Sequence, residues 1–206
     1  TKMKIIKIIL FLLIGINSNI YSQIIDIQDK DGNRDTNTYY KDIDSLLNRF
    51  EGTYVYTNGN TIFKVTLIKK VYQYNSRFYE DLIIGEYQYI ENGIEKVNTL
   101  SDLTITYNDQ RSHNIDGNTI VDKNYRVWRC PDCSLNEKRL RTRIRDASTN
   151  RSAVLIMRRL SIITGGNTQE VLKINITKVF GGTYNEVEGP PPAFSLPIGE
   201  MTLIKQ

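Results

Sequence analysis

Phe50 to Val71, FEGTYVYTNGNTIFKVTLIKKV, constrains this chain more than any other stretch, because it reads as a complete β-hairpin. Tyr54, Val55 and Tyr56 favour strand, and Asn58-Gly59 is the pair that best tolerates the two positive φ angles of a tight turn. Beyond the turn, Phe63, Val65, Leu67 and Lys69 alternate with Lys64, Thr66, Ile68 and Lys70. The same grammar recurs over Asp81 to Leu100, where DLIIGEYQYI turns at Asn92-Gly93 and returns through IEKVNTL. Two successive hairpins imply an antiparallel meander.

The alternation extends this pattern. Strands are predicted at Gly52 to Thr57, Thr61 to Val71, Leu82 to Ile90, Ile94 to Leu100 and Leu103 to Tyr107, then within Thr119 to Trp128, at Lys138 to Arg145, Ala153 to Leu160, Val171 to Phe180 and Glu200 to Lys205. On Val171 to Phe180 the residues Leu172, Ile174, Ile176 and Phe180 share one face. Asp42 to Phe50 carries Ile43, Leu46, Leu47 and Phe50 at helical spacing, so one short helix is expected before the first strand. About ten short strands and one helix predict an all-β fold, an antiparallel meander closed as a barrel or packed as a sandwich, in one domain over residues 42–206. Residues 23–41 are polar and acidic and read as a linker. Within them Asp29-Lys30-Asp31-Gly32 fails the calcium-loop pattern, which needs acids where Ile27 and Thr38 stand.

The first 22 residues suggest a compartment. Lys2, Lys4 and Lys7 precede an apolar run from Ile8 to Ile16, and polar residues lead to Ser22-Gln23, the layout of a secretory signal peptide cleaved after Ser22. The run is shorter than the roughly 20 residues of a membrane span. A soluble periplasmic or extracellular product is therefore expected, with no cysteine placed for lipid attachment. Without the three leader lysines the formal charge of +4 falls to +1, but that charge is segregated: residues 23–110 sum to −5 and residues 111–206 to +6. Nucleic acid is not an expected partner of so nearly neutral a chain.

Three features suggest chemistry. Cys130-Pro131-Asp132-Cys133 is the only cysteine pair. In an oxidising compartment a local disulfide ranks first, ahead of a redox pair, which needs a helix beginning at the first cysteine, and of zinc, which needs two further ligands. His113, the sole histidine, sits in polar RSHNIDGN without triad partners and is expected to be an exposed loop residue. Arg139, Arg141, Arg143 and Arg145 occupy alternate positions, so on a strand they leave one face while Leu140, Thr142 and Ile144 take the other. Such a row suits phosphates or sulfated or uronic-acid glycans, with Arg151, Arg158 and Arg159 as possible neighbours; the alternative is a solvent face paired with acids on adjoining strands. Among the 13 tyrosines, Tyr54, Tyr56, Tyr87 and Tyr89, with Phe63, are candidates to line a cavity for a small apolar ligand, though ordinary sheet packing uses the same residues.

Phe50-Glu51-Gly52-Thr53-Tyr54-Val55-Tyr56 resembles the F-x-G-T-W segment that begins the first strand of calycins, the lipocalin and fatty-acid-binding superfamily, with Tyr54 in place of the tryptophan. Over more of the chain, FEGTYVYTNGNTIFKVTLIKK, DLIIGEYQYIENGIEKVNTL and the terminal FSLP and MTLIKQ resemble a family of small secreted proteins of unknown function from Bacteroidota. These resemblances imply secretion and an all-β, calycin-like barrel, and they supply no catalytic residue. The expected function is a non-enzymatic binding module for a small apolar ligand or an envelope component. A cell-surface interaction protein using the arginine face on a polyanion or protein partner is the alternative, and a C-x-x-C thiol-disulfide oxidoreductase is third. No metal, cofactor or catalytic site is expected.

Overall fold

Alternating side chains need paired neighbours, and eleven strands find them among the residues that the computed structural model describes, 23–29, 35–36, 38–182 and 190–206. The expected signal peptide lies outside the described residues. In chain order the strands are β1 (Gln23–Asp26), β2 (Thr38–Lys41), β3 (Gly52–Asn58), β4 (Thr61–Tyr74), β5 (Tyr79–Glu91), β6 (Ile94–Asn98), β7 (Ile115–Val121), β8 (Arg139–Arg145), β9 (Ser152–Thr164), β10 (Asn167–Phe180) and β11 (Gly199–Lys205).

Eight of them close a barrel. Strand β3 pairs with β4, β4 with β5, β5 with β7, and the chain then runs antiparallel through β8, β9, β10 and β11. Ile204 opposite Val55 and Lys205 opposite Tyr54 join β11 back to β3. Strand β5 is the hub. Its one side is taken by β4, and its other side by β2 at Tyr79 and Glu80, by β7 at Ile83 to Gly85, and by β6 at Gln88 to Glu91.

The hairpins form where alternation places them. Asn92-Gly93 turns with φ of 53° and 80°, and Gly165-Gly166 joins β9 to β10 with 58° and 81°. In the first hairpin the pair Asn58 and Thr61 closes the ladder, so the turn is Gly59-Asn60, one residue later than predicted, with Gly59 at φ 56°. The inward rows fill the barrel: Phe63, Val65 and Leu67 from β4, Ile83 and Tyr87 from β5, Leu140 and Ile144 from β8, Ala153, Leu155 and Met157 from β9, Leu172, Ile174 and Ile176 from β10, and Leu203 from β11. All are buried in one cluster with Leu47, Phe50 and Tyr54. The opposite face of β9, Val154 and Ile156, is covered by Tyr125, Val127 and Trp128 from the β7–β8 loop, which explains the unbroken apolar run AVLIM.

Four expectations fail here. The short helix at Asp42 to Phe50 is absent, and no α-helix occurs among the described residues. The Asp42 carboxylate instead accepts the N–H groups of Leu46 and Leu47 at 2.7 and 2.9 Å, Ser45 adopts φ 55°, and only a 3-10 turn at Asn48–Phe50 survives. A side chain that captures local N–H groups competes with the helix ladder. The segment expected to be a linker supplies β1 and β2, with Ile27 and Tyr40 buried in the core. Leu103 to Tyr107 forms no strand; Leu100–Thr104 is a 3-10 turn, because β2, β7 and β6 already occupy the outer side of β5. The strand sought within Thr119 to Trp128 lies earlier, at Ile115–Val121.

Candidate anion-binding cleft

The arginine stripe emerges on the outer wall, as strand geometry requires when Leu140 and Ile144 face the core. Its four members do not share one environment. Arg139 is fully buried, donates to the carbonyls of Trp128 and Asp122 at 2.7 and 2.6 Å, and lies 5.3 Å from the Trp128 ring centre. It pins the β7–β8 loop, and burial lowers its pKa. Arg143 donates to Asp116 at 2.7 Å and to the carbonyl of Arg111 at 2.6 Å. Arg145 donates to the side-chain oxygen of Asn114 at 3.2 Å and to the carbonyl of Ser112.

Arg141 is the exception. Its cross-strand neighbours are Thr119 on β7 and Ile156 on β9, neither of them acidic, and its guanidinium makes no ion pair or hydrogen bond among the described residues. The Nε atom is buried with no partner, although the residue as a whole is half-buried. The paired-surface alternative thus holds for Arg143 and not for Arg141.

Arg141, Arg143 and Arg145 line an outer-wall cleft of about 520 Å³ together with Arg111, Asp109, Asp116, Thr119 and Phe180. Two irregularities shape it. Between Asp116 and Thr119 the register with β8 shifts, and Gly117 adopts φ 147°, where an added Cβ would come 2.9 Å from Thr142 Cα. Between Thr177 and Phe180 the register of β10 with β9 shifts again, with Lys178 at φ 49°. Val179 then packs on the core and Phe180 turns out to the cleft, 47 % exposed. The predicted placement of Phe180 beside Leu172, Ile174 and Ile176 is overturned by this bulge.

Beneath the arginines runs a buried charge network. Arg111 holds Glu80 through two bonds of 2.5 and 2.7 Å and reaches Asp116 at 3.1 Å. Burial works to lower the Arg111 pKa, but Glu80 and Asp116 outweigh it and keep the guanidinium charged. Burial raises the Asp116 carboxyl, against the pull of Arg143 and Arg111. Four arginines against two aspartates leave the lining of the cleft net positive.

The other candidates lie elsewhere. Tyr54, Phe63 and Tyr87 are 0 % exposed and Tyr89 4 %, with Phe63 and Tyr87 rings 5.8 Å apart, so these aromatics fill the barrel. Tyr56 is half-buried and lines a smaller depression of about 270 Å³ with Lys173, Glu200 and Met201. Arg158 is held by Asp132 and Glu137 at 2.7 and 2.5 Å, Arg159 by Glu170, and Arg151 reaches the carbonyls of Gly181 and Pro192; none lines the cleft. His113 is not an exposed loop residue. It is fully buried, with Nδ1 2.8 Å from Glu86 and the Tyr107 ring 4.8 Å away, because pairing of β5 with β7 sets Glu86 beside it. No group of three or more His, Cys, Asp or Glu side chains suited to a metal occurs among the described residues.

Cys130 and Cys133 form a disulfide with Cα atoms 5.3 Å apart, in a turn of the β7–β8 loop with no helix following it. Arg158 anchors this loop through Asp132 and Glu137, and Trp128 donates to Glu200 at 2.8 Å. No helix among the described residues is long and apolar enough to cross a membrane. One family model matches residues 3–206. The chain belongs to DUF6705, a family of unknown function. No curated protein and no solved structure matches it.

Proposed function

We propose that this DUF6705 chain is a non-enzymatic binding protein of an oxidising, extracytoplasmic compartment, and that it takes an acidic envelope component or polymer in the arginine cleft of its outer wall. The observation that carries this reading is Arg141, a guanidinium in a net-positive cleft with no partner among the described residues. Its Nη groups are not among the enclosed atoms and make no bond to a described residue, so they are open to charge-assisted bonds with an arriving carboxylate, sulfate or phosphate. The Cys130–Cys133 disulfide supports the compartment, since such bonds persist where thiols are oxidised. The up-and-down strand order and the Gly52-Thr53-Tyr54 opening of β3 support a calycin-like build. Its interior, filled by Tyr54, Phe63 and Tyr87, favours a ligand on the wall over an apolar ligand in the lumen.

Retention on an immobilised acidic polymer at low salt tests the reading. Arg141→Glu is expected to weaken binding at least about tenfold, the equivalent of one lost charge-assisted contact of roughly 1.5–3 kcal/mol. Raised salt is expected to weaken the parent as well. Unchanged retention of the variant, or a parent that flows through at low salt, refutes it.

A further inference from the structure

Arg141 is not the only part of the cleft left without a partner. We infer that the unit recognised there is a carboxylate-bearing pyranose, a hexuronic acid residue within a glycan, and not an isolated sulfate or phosphate. This inference rests on the anion-binding reading above.

The first argument is the count of free cations. Arg143 and Arg145 have Nε and Nη2 committed to Asp116, Asn114 and backbone carbonyls, and Arg111 is committed to Glu80 and Asp116. Of the four lining guanidiniums only that of Arg141 is left with no bond to a described residue. Its planar fork matches the two oxygens of one carboxylate, whereas a densely charged polyphosphate or polysulfate rewards several free cations at once.

The second argument is Phe180. Three residues of β10, Leu172, Ile174 and Ile176, point inward, and simple alternation would send Phe180 after them. The register shift after Thr177, with Lys178 in the left-handed region that non-glycine residues seldom adopt, turns the ring out to the cleft instead. Backbone strain is thus spent on exposing an aromatic face, the reverse of what core packing rewards. A half-exposed ring in the same cleft as an open cation suits a glycan whose units carry apolar faces and anionic groups. The C–H face of a pyranose and its C5 carboxylate have that combination; a bare inorganic anion has nothing to lay on the ring.

The third argument is the hydroxyl partners. Ser112 and Thr119 line the cleft, and neither hydroxyl makes a hydrogen bond to another described residue. Asp109 lines it too, with one carboxylate oxygen held by the Arg111 N–H and the other facing no described donor. Donors and acceptors of this kind serve ring hydroxyls, and Asp109 repels a second anionic group.

The experiment is calorimetric titration of the full chain with four probes matched in length: an oligogalacturonate, the neutral galactose oligomer, a sulfated glucan and inorganic polyphosphate. Binding of the oligogalacturonate is expected, at least tenfold tighter than that of the neutral oligomer. Arg141→Gln is expected to abolish the difference. Phe180→Ala is expected to weaken oligogalacturonate about fivefold while leaving any residual binding of polyphosphate unchanged, and Phe180→Leu, which keeps apolar bulk without a flat face, to behave as the alanine variant does. If sulfated glucan or polyphosphate binds as tightly as oligogalacturonate and the Phe180 variants bind like the parent, the uronic-acid inference is overturned while the anion-binding reading stands. If no acidic probe binds, or Arg141→Gln binds all of them like the parent, both are overturned. Urea midpoints of each variant separate a lost site from a lost fold.

Discussion

Asp146 offers the sharpest test of how the cleft wall is held. It follows β8 and is fully buried, and its carboxylate accepts the Ser195 N–H at 2.6 Å, the Thr149 hydroxyl at 2.7 Å and the Ser148 N–H at 3.0 Å. One side chain therefore ties the β8–β9 turn to the segment before β11. Asp146→Asn keeps the shape and removes the charge. A single amide oxygen can serve Ser195 and Thr149 or it can serve Ser148, so an NH₂ group must face at least one donor. Losing one charge-assisted bond of roughly 1.5–3 kcal/mol and weakening the others places the expected cost near 3 kcal/mol at pH 7. The dependence on pH has a definite sign. Burial works to raise the Asp146 pKa, but the bonds from Ser195, Thr149 and Ser148 outweigh it and hold the carboxyl below its ordinary value. A depressed folded-state pKa contributes stability that is fully present above the unfolded value of about 3.9 and is lost as pH falls through the folded value. The gap between parent and variant in urea unfolding should therefore be widest at neutral pH and narrow below about pH 4. A gap under about 1 kcal/mol at pH 7, or one that widens on acidification, would falsify the assignment of Asp146 as an ionised anchor.

Three further perturbations probe the same wall. Gly117→Ala puts a Cβ 2.9 Å from Thr142 Cα at φ 147°, so a loss of roughly 1–3 kcal/mol in urea unfolding is expected; a neutral result would mean that the β7 bulge is not constrained. Arg111→Met strips Glu80 and Asp116 of a shared cation and is expected to cost about 3 kcal/mol, the low end for breaking a buried pair, because Asp116 keeps Arg143 and Glu80 keeps the Asn75 and Asn118 amides. Thermal unfolding within a degree of the parent would contradict it. Replacing Cys130 and Cys133 with serine opens a loop of only four residues and is expected to cost about 2 kcal/mol while near-ultraviolet circular dichroism of the barrel persists; loss of the barrel signal would show that the loop organises the fold.

Local rules read this chain well wherever one segment decides the outcome. The Asn92-Gly93 and Gly165-Gly166 turns, the stripe on β8 and the pairing of two cysteines three positions apart need only their own neighbourhood. The helical spacing from Ile43 to Phe50 is equally local, yet it lost to a competing local interaction, the Asp42 carboxylate on the Leu46 and Leu47 N–H groups. Alternation has a different weakness, because each bulge reverses the face of every later residue on its strand. Gly117 inside IDGNTIV is a legible hint of such a bulge. Lys178 is not, so nothing in LKINITKVF announces that Phe180 changes sides.

Charge is the property that a linear reading places least well, and barrel closure explains why. The acidic first half and the basic second half meet at the β5–β7 seam, where Glu80 reaches Arg111 and Glu86 reaches His113. Asp116 extends that neutralisation one strand further, to Arg143. Two positions along β8 it stops. Opposite Arg141 the register offers Thr119 on one side and Ile156 on the other, and Ile156 is fixed there by the apolar contacts that seat the β7–β8 loop on the wall. The packing that secures the disulfide loop thus denies Arg141 an acidic neighbour on β9. The uncompensated charge of the cleft follows from how the barrel closes, and an acid introduced at that position, Ile156→Glu, would neutralise it only by giving up the apolar contacts that hold the loop.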